Sequence, residues 1–271
     1  MSRTFTPEYI HRTHAPFLGL DPVASLKQAR HVIEHAITHQ PRSLQKRIGP
    51  SELGTPCDHC LAAKLAGWQQ TERGVPWLPY IGTSVHEKLE AVFVERNFQL
   101  EAEGKPLRYL MEQKTMVGTV GGQEIWGSTD LVDLEAGMTV DWKIVGASTL
   151  KQAKSGPSPV YHAQADLYAK GWNDAGIRID HVAIAYLPRN AVSLDQAVWW
   201  TAPHDRARAE HVLQRANNLA LNLTVLESIS IEARDTWITA LTRDSHCYDC
   251  ARFPDAPPAR PRDTFFDLPT Q

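Results

Sequence analysis

The chain lacks the features that mark several common classes of protein. Nowhere in its 271 residues does an apolar run approach the eighteen or more that span a bilayer, and the polar opening MSRTFTPEYIHRTH has no signal-peptide core. Membrane insertion and secretion are therefore disfavoured, and the cytoplasm is the expected location. Excess basic charge is also missing, since 28 Lys and Arg against 31 Asp and Glu leave a formal net charge of −3. This argues against the cationic coat that dominates non-specific DNA affinity. It does not argue against nucleic acid held at a divalent ion, which brings its own positive charge, with Lys151 and Lys154 as local supplements. No internal repeat is present.

Cysteine is scarce, four residues in all, and they fall into two matched pairs, Cys57-x-x-Cys60 and Cys247-x-x-Cys250. A disulfide is not expected in a cytoplasmic chain, so two such pairs point to a four-thiolate metal site. Four sulfurs suit Zn²⁺ or an iron–sulfur cluster equally, and the neighbouring His59 and His246 could substitute at a zinc site. Either way, residues near opposite ends of the chain must meet, and the site would act as a clasp around everything between.

Between the pairs lies GSTDLVDLEAGMTVDWK, residues 127–143. Two runs of strand-forming residues, 125–134 and 139–145, flank Glu135-Ala136-Gly137-Met138 and read as an antiparallel hairpin. Side chains alternate with period two, so the register decides which residues act together. A four-residue loop pairing Leu134 with Thr139 sets Asp130 opposite Lys143 and Val132 opposite Asp141. Gly137 is then free to take a positive φ. Asp130, Asp141 and Lys143 would share one face, and Val140, Trp142 and Ile144 would pack on the other. Two carboxylates and an ammonium at a strand pair suit Mg²⁺ or Mn²⁺ chemistry, with the lysine orienting a water; the plainer alternative is a surface hairpin with a cross-strand ion pair.

The rest of the chain reads as a mixed sheet flanked by helices, not as regular βαβ repeats. Residues 21–39 form a helix with an apolar stripe, begun by Asp21-Pro22 and followed by a basic loop carrying Arg42, Lys46 and Arg47. A short helix starts at Cys57 and runs to about Trp68. Residues 84–97 form another, capped by Ser84-x-x-Glu87, with His86 in its first turn. A strand over 108–118 carries Glu112, which could face the same pocket or pair with a neighbouring charge. The stretch VYHAQADLYAKGWNDAG forms a helix with Tyr161, Gln164 and Tyr168 on one face and an Asp166–Lys170 pair. A second strand pair, 181–187 and 194–201, precedes a helix over 205–227 with Arg206, Arg208 and Arg215 on its exposed side. Residues 1–53 are expected to be an N-terminal helical segment, 54–253 the main domain closed by the cysteines, and the proline-rich 254–271 an extended or disordered tail.

His86 in HEKLE, Asp130 ending GSTD, Asp141 and Lys143 in DWK, and Gln164 with Tyr168 in QADLY occur in one order. This order resembles the PD-(D/E)XK nuclease superfamily in its RecB-like exonuclease branch. The bracketing cysteines are similar to those of CRISPR-associated and phage-encoded RecB-type exonucleases.

The resemblance implies a restriction-endonuclease-like core and a metal-dependent DNA exonuclease acting in recombination, repair or end processing. DNA, single-stranded or at its ends, would be the partner. It also implies that His86, Asp130, Asp141 and the backbone carbonyl of Trp142 bind Mg²⁺ or Mn²⁺. Lys143 would activate the attacking water, and Gln164 and Tyr168 would contact DNA or support Lys143. Cys57, Cys60, Cys247 and Cys250 would hold a [4Fe–4S] cluster, although their two-and-two split departs from the usual one-and-three and keeps Zn²⁺ open. The competing readings are a non-catalytic DNA-binding or adaptation-type partner on the same fold, and a zinc-stabilised interaction module. Oligomeric state and cleavage polarity are not encoded in these motifs.

Overall fold

The computed structural model describes residues 21–39, 48–71, 74–245, 247 and 249–253. The basic loop, His246 and the proline-rich tail lie outside them. The chain divides into two compact units, 1–45 and 46–271. In the first, helix α1 (Pro22–Thr38) begins where the Asp21 side chain accepts from the amides of Val23 and Ala24, with Pro22 in its first turn.

In the second unit, α2 (Pro50–Leu53) and α3 (Asp58–Leu65) precede a 26-residue helix α4 (Trp77–Ala102). The sheet then forms from β1 (Tyr109–Val120), β2 (Gln123–Asp133) and β3 (Met138–Val145). Helices α5 (Ala147–Ala153) and α6 (Pro159–Asp174) carry the chain over to β4 (His181–Pro188), and β5 (Val198–Pro203), α7 (Arg206–Ile229) and α8 (Ile231–Ala240) follow. Strand order is β1-β2-β3-β4-β5, antiparallel except for β3 beside β4. That parallel pair requires the crossover that α5 and α6 supply. The expected mixed sheet with helices on both faces is what the chain forms.

On one face Leu131, Val140, Trp142, Ala185 and Leu187 meet Leu89 and Phe93 of α4, with the Phe93 and Trp142 rings stacked at 5.8 Å. On the other, Val132, Val145, Ile184 and Tyr186 pack against Ala165, Ala169 and Trp172 of α6. A third cluster joins α3, α7 and α8 to the far ends of β1 and β2 through Leu61, Leu65, Val117, Ile125, Leu219 and Ile238. The Trp142 side of the hairpin is thus against a core, as its apolar alternation requires.

Five local expectations are corrected. The hairpin pairs Asp133 with Met138 and Leu131 with Val140, one residue earlier on each strand than expected. The cause is Asp133, whose Oδ1 accepts from the amides of Glu135 and Ala136 at 3.1 Å each and closes the loop early. Arg108 grips the same carboxylate with two hydrogen bonds. Gly137 still takes its positive φ of 60°. Because both strands slide together, Asp130, Asp141 and Lys143 stay on one side, but Asp130 now comes level with Asp141 instead of Lys143.

Helix α4 starts at Trp77, not Ser84, so the capping box does not form. The Ser84 hydroxyl donates to the Tyr80 carbonyl one turn back, and Pro79 is tolerated in the first turn, where no amide partner is needed. His86 therefore sits in the third turn.

Asp166 does not pair with Lys170, which reaches Asp174 instead. Its fully buried carboxylate takes hydrogen bonds from Arg208 (2.6 Å), His204 (3.2 Å) and the Asp205 amide (2.9 Å). That draws Arg208 inward. Arg215 likewise turns in, to the backbone carbonyls of Leu53 and Thr55. Finally, 194–196 is a 3₁₀ turn capped by Ser193, so β5 begins at Val198.

Candidate active site

Pairing between β2 and β3 ends at Leu131–Val140, and beyond it the strands part. The Asp130 carboxylate fills the opening, its Oδ2 accepting from the Trp142 amide at 2.7 Å in place of a ladder partner. His86 reaches in from α4. Its Nδ1 lies 3.3 Å from Asp130 Oδ1 and 3.8 Å from Glu112 Oε1, and its Nε2 lies 3.1 Å from the Trp142 carbonyl oxygen. Three of the four expected metal-site positions, His86, Asp130 and the Trp142 carbonyl, thus meet at one point.

The fourth, Asp141, is turned toward Lys143. The Lys143 ammonium lies 2.6 Å from Asp141 Oδ2 and donates to Gln164 Oε1 at 3.0 Å. Gln164 in turn donates to the Tyr168 hydroxyl at 3.3 Å, and the Tyr161 ring centroid stands 4.7 Å from the lysine nitrogen. Helical spacing on α6 sets Tyr161, Gln164 and Tyr168 on one face toward the sheet. Gly127 makes that approach possible, since a Cβ there would lie 2.6 Å from Pro50 and 2.7 Å from the Tyr168 ring. The glycine and aspartate of GSTD therefore serve one site, the first by leaving space and the second by supplying a carboxylate.

Glu112 is the residue that the sequence left open. Its carboxylate accepts from the Ser128 hydroxyl at 2.8 Å, and one of its oxygens lies with His86 and Asp130 ligand atoms within 4.8 Å of one another. It reaches there through a bulge in β1 between Met116 and Gly118, which shifts the register by one and brings Glu112 level with Asp130 instead of Leu131. Among the described residues it is the non-glycine with positive φ, 50°, a conformation that costs roughly 1–3 kcal/mol and gathers at functional sites. Tyr186, beside Lys143 on β4, also borders the site, its hydroxyl buried among Tyr161 and Asp141.

Burial concentrates charge here. Desolvation raises the Asp141 carboxyl to about 6, with Lys143 opposing and Asp130 adding to the rise. Desolvation opposes charge on Lys143 too, but Asp141 outweighs it and holds the ammonium above its ordinary value. Burial would likewise lower His86, yet hydrogen bonds to Asp130 and Glu112 raise it to about 9. An imidazolium and an ammonium thus neutralise a nest of carboxylates. Such a nest would accept a hard divalent ion in the place of the imidazolium charge. His86 Nδ1 and Asp141 Oδ2 are buried against charged neighbours, Asp130 and Glu112 for the first and Lys143 for the second. The donor set of oxygens and one imidazole fits Mg²⁺ or Mn²⁺.

Elsewhere in the unit, Cys57 stands at the N-terminus of α3, Cys60 lies within it, and Cys247 and Cys250 follow α8. All four are free thiols whose sulfurs lie within 4.8 Å of one another. The Cys60 and Cys250 thiols are pushed up, by burial first and by the other sulfurs second. Among the described residues, no helix is long and apolar enough to cross a membrane.

No family model matches the chain, and no curated protein sequence matches it. Solved structures that match include the protein SSO0001, with 16% identity and a TM-score of 0.42 over 74% of this chain and 87% of that one. An alkaline exonuclease of Laribacter hongkongensis matches with 12% identity and a TM-score of 0.37 over 68% and 95%. A phage-related exonuclease of Haemophilus somnus matches with 11% identity and a TM-score of 0.33 over 54% and 74%.

Proposed function

We propose that this chain is a Mg²⁺- or Mn²⁺-dependent deoxyribonuclease of the PD-(D/E)XK, RecB-like kind. It would hydrolyse phosphodiester bonds at DNA ends during recombination, repair or end processing. The observation that carries the reading is the convergence of His86, Glu112 and Asp130 beside a buried Asp141–Lys143 pair, at the point where two strands separate. A cross-strand surface ion pair would be exposed and interchangeable. Here Asp130 is only 7% and Asp141 5% exposed, and buried carboxylates are costly unless cations meet them, as His86 and Lys143 do here.

In this reading His86, Asp130, Asp141 and the Trp142 carbonyl hold the divalent ion, and Glu112 joins them. Bound there, the ion supplies Lewis-acid polarisation of the scissile phosphate and lowers the pKa of an attacking water. The chain's own residues do the rest. Lys143, fixed by Asp141 and Gln164, presents an ammonium to the water and to charge developing on the phosphoryl oxygens. Gln164 and Tyr168 hold that lysine in one rotamer, so little reorganisation is needed as charge builds. The Tyr161 ring screens the ammonium from solvent on its other side.

The test is hydrolysis of end-labelled linear DNA, single- and double-stranded, with Mg²⁺, Mn²⁺ or EDTA. The reading expects metal-dependent release of nucleotides that Asp141→Ala and Lys143→Ala both abolish while the variants stay folded. DNA binding without hydrolysis under every metal condition would replace it with a non-catalytic DNA-binding partner.

A further inference from the structure

Cys57 and Cys250 sulfurs are 3.3 Å apart, Cys60 and Cys250 3.4 Å, and Cys60 and Cys247 3.5 Å. A single tetrahedral ion with Zn–S bonds of about 2.3 Å sets its four thiolates about 3.8 Å apart. A cubane instead stands an iron between each thiolate and the sulfide core, which spreads the terminal sulfurs to roughly 6 Å. With all four sulfurs within 4.8 Å of one another, their spacing is nearer that of ligands on one ion than that of ligands on a cubane.

We propose that Cys57, Cys60, Cys247 and Cys250 hold one zinc ion in a closed tetrahedral site, in place of the [4Fe–4S] cluster that the resemblance to RecB-type exonucleases implies.

The surroundings suit a structural S₄ zinc site. Cys57 and Cys60 are fully buried, and the backbone amides of Cys60 and Asp244 donate to the Cys57 sulfur. Such amide–thiolate bonds orient ligands and stabilise their charge. Four thiolates around a divalent ion leave net negative charge, and the Arg215 guanidinium faces Cys57 from α7. Lys64 of α3 donates to Asp249, beside Cys250, and so ties the first pair's helix to the second pair's turn. With all four positions taken by sulfur, the ion has no site for water or substrate, and its contribution is to folding. The zinc assignment does not rest on the nuclease reading, because none of its four ligands belongs to the acidic site.

Elemental analysis of the full chain, purified without oxygen from cells supplied with both iron and zinc, tests it. The expected result is a colourless protein with about one zinc per chain and no acid-labile sulfide. Titrating the four thiols with a mercurial releases that zinc, and Co²⁺ exchanged for it gives the intense visible bands of a tetrahedral thiolate site. Cys247→Ser and Cys250→Ser lose the metal, while Asp141→Ala keeps it, which separates the clasp from the acidic site. Brown protein with iron and sulfide, red protein with iron alone, a folded metal-free chain, or zinc retained by Cys247→Ser would each overturn the assignment.

Discussion

The side-chain oxygen of Gln164 accepts a hydrogen bond from the ammonium of Lys143 at 3.0 Å, 21 residues away in sequence. Lys143 therefore owes its position to two anchors, Asp141 on its own strand and Gln164 on the helix opposite. Hydrogen bonds to charged groups contribute about 1.5–3 kcal/mol. Gln164→Ala should therefore slow hydrolysis by roughly 10- to 100-fold through kcat, with KM for DNA little changed. Lys143→Ala should remove at least as much again. Steady-state rates on end-labelled DNA check this, and a raised KM with kcat unchanged in Gln164→Ala would mean that Gln164 contacts the substrate instead.

Gly127→Ala places a methyl group against Pro50 and the Tyr168 ring. Overpacking of this kind costs about 1–3 kcal/mol, and here it also pushes Tyr168 away from Gln164. The unfolding midpoint in urea should fall together with activity. Adding Tyr168→Ala should restore part of the stability but none of the activity, because the space returns while the hydroxyl does not.

Asp133→Ala removes both loop-closing acceptors and leaves Arg108 without its bidentate partner. The loss should be about 1–3 kcal/mol. The hairpin is then free to slide toward the register that the strand runs alone favour, which brings Asp130 level with Lys143. Activity should drop further than the stability loss explains, as measured at a temperature where the variant is fully folded.

Asp166 provides the pH dependence. Burial raises its pKa, but hydrogen bonds from His204, the Asp205 amide and Arg208 outweigh it and hold the carboxyl below the ordinary carboxylate range. A depressed folded pKa means stability that is present above the unfolded carboxylate pKa and lost as pH falls through the folded one. His162, lowered by burial and then by Arg208, adds loss in the same direction below its ordinary value. The urea midpoint should decline from neutral pH into the acid range. In Asp166→Asn that decline should be shallower, from a starting stability lower by about 2 kcal/mol, as Arg208 is partly exposed.

Much of this architecture was legible in the sequence because it is written in local patterns. Periodicity located α1, α6 and α7, and alternation located the hairpin and the faces of its strands. What stayed illegible depends on partners distant along the chain. Asp133 closes the hairpin loop early, which no alternation pattern announces. Glu112 comes level with Asp130 only because one residue is extruded between Met116 and Gly118, and counting back from the Gly121-Gly122 turn would misplace it by one. Arg208 looked exposed because the buried Asp166 that claims it lies on another helix. Ser84 read as a cap since the motif fits, whereas its hydroxyl serves the turn before it.

The sulfurs that meet across the core belong to residues 187 to 193 positions apart. A ribosome therefore delivers the acidic hairpin, its supporting helix and most of the hydrophobic core well before the second pair of ligands emerges. Closing so long a loop comes late and costs entropy that local contacts cannot return. If the proposed ion joins those sulfurs, the unit closes only once metal is supplied: a newly made chain starved of it would keep its strands while the two cysteine segments stayed unjoined.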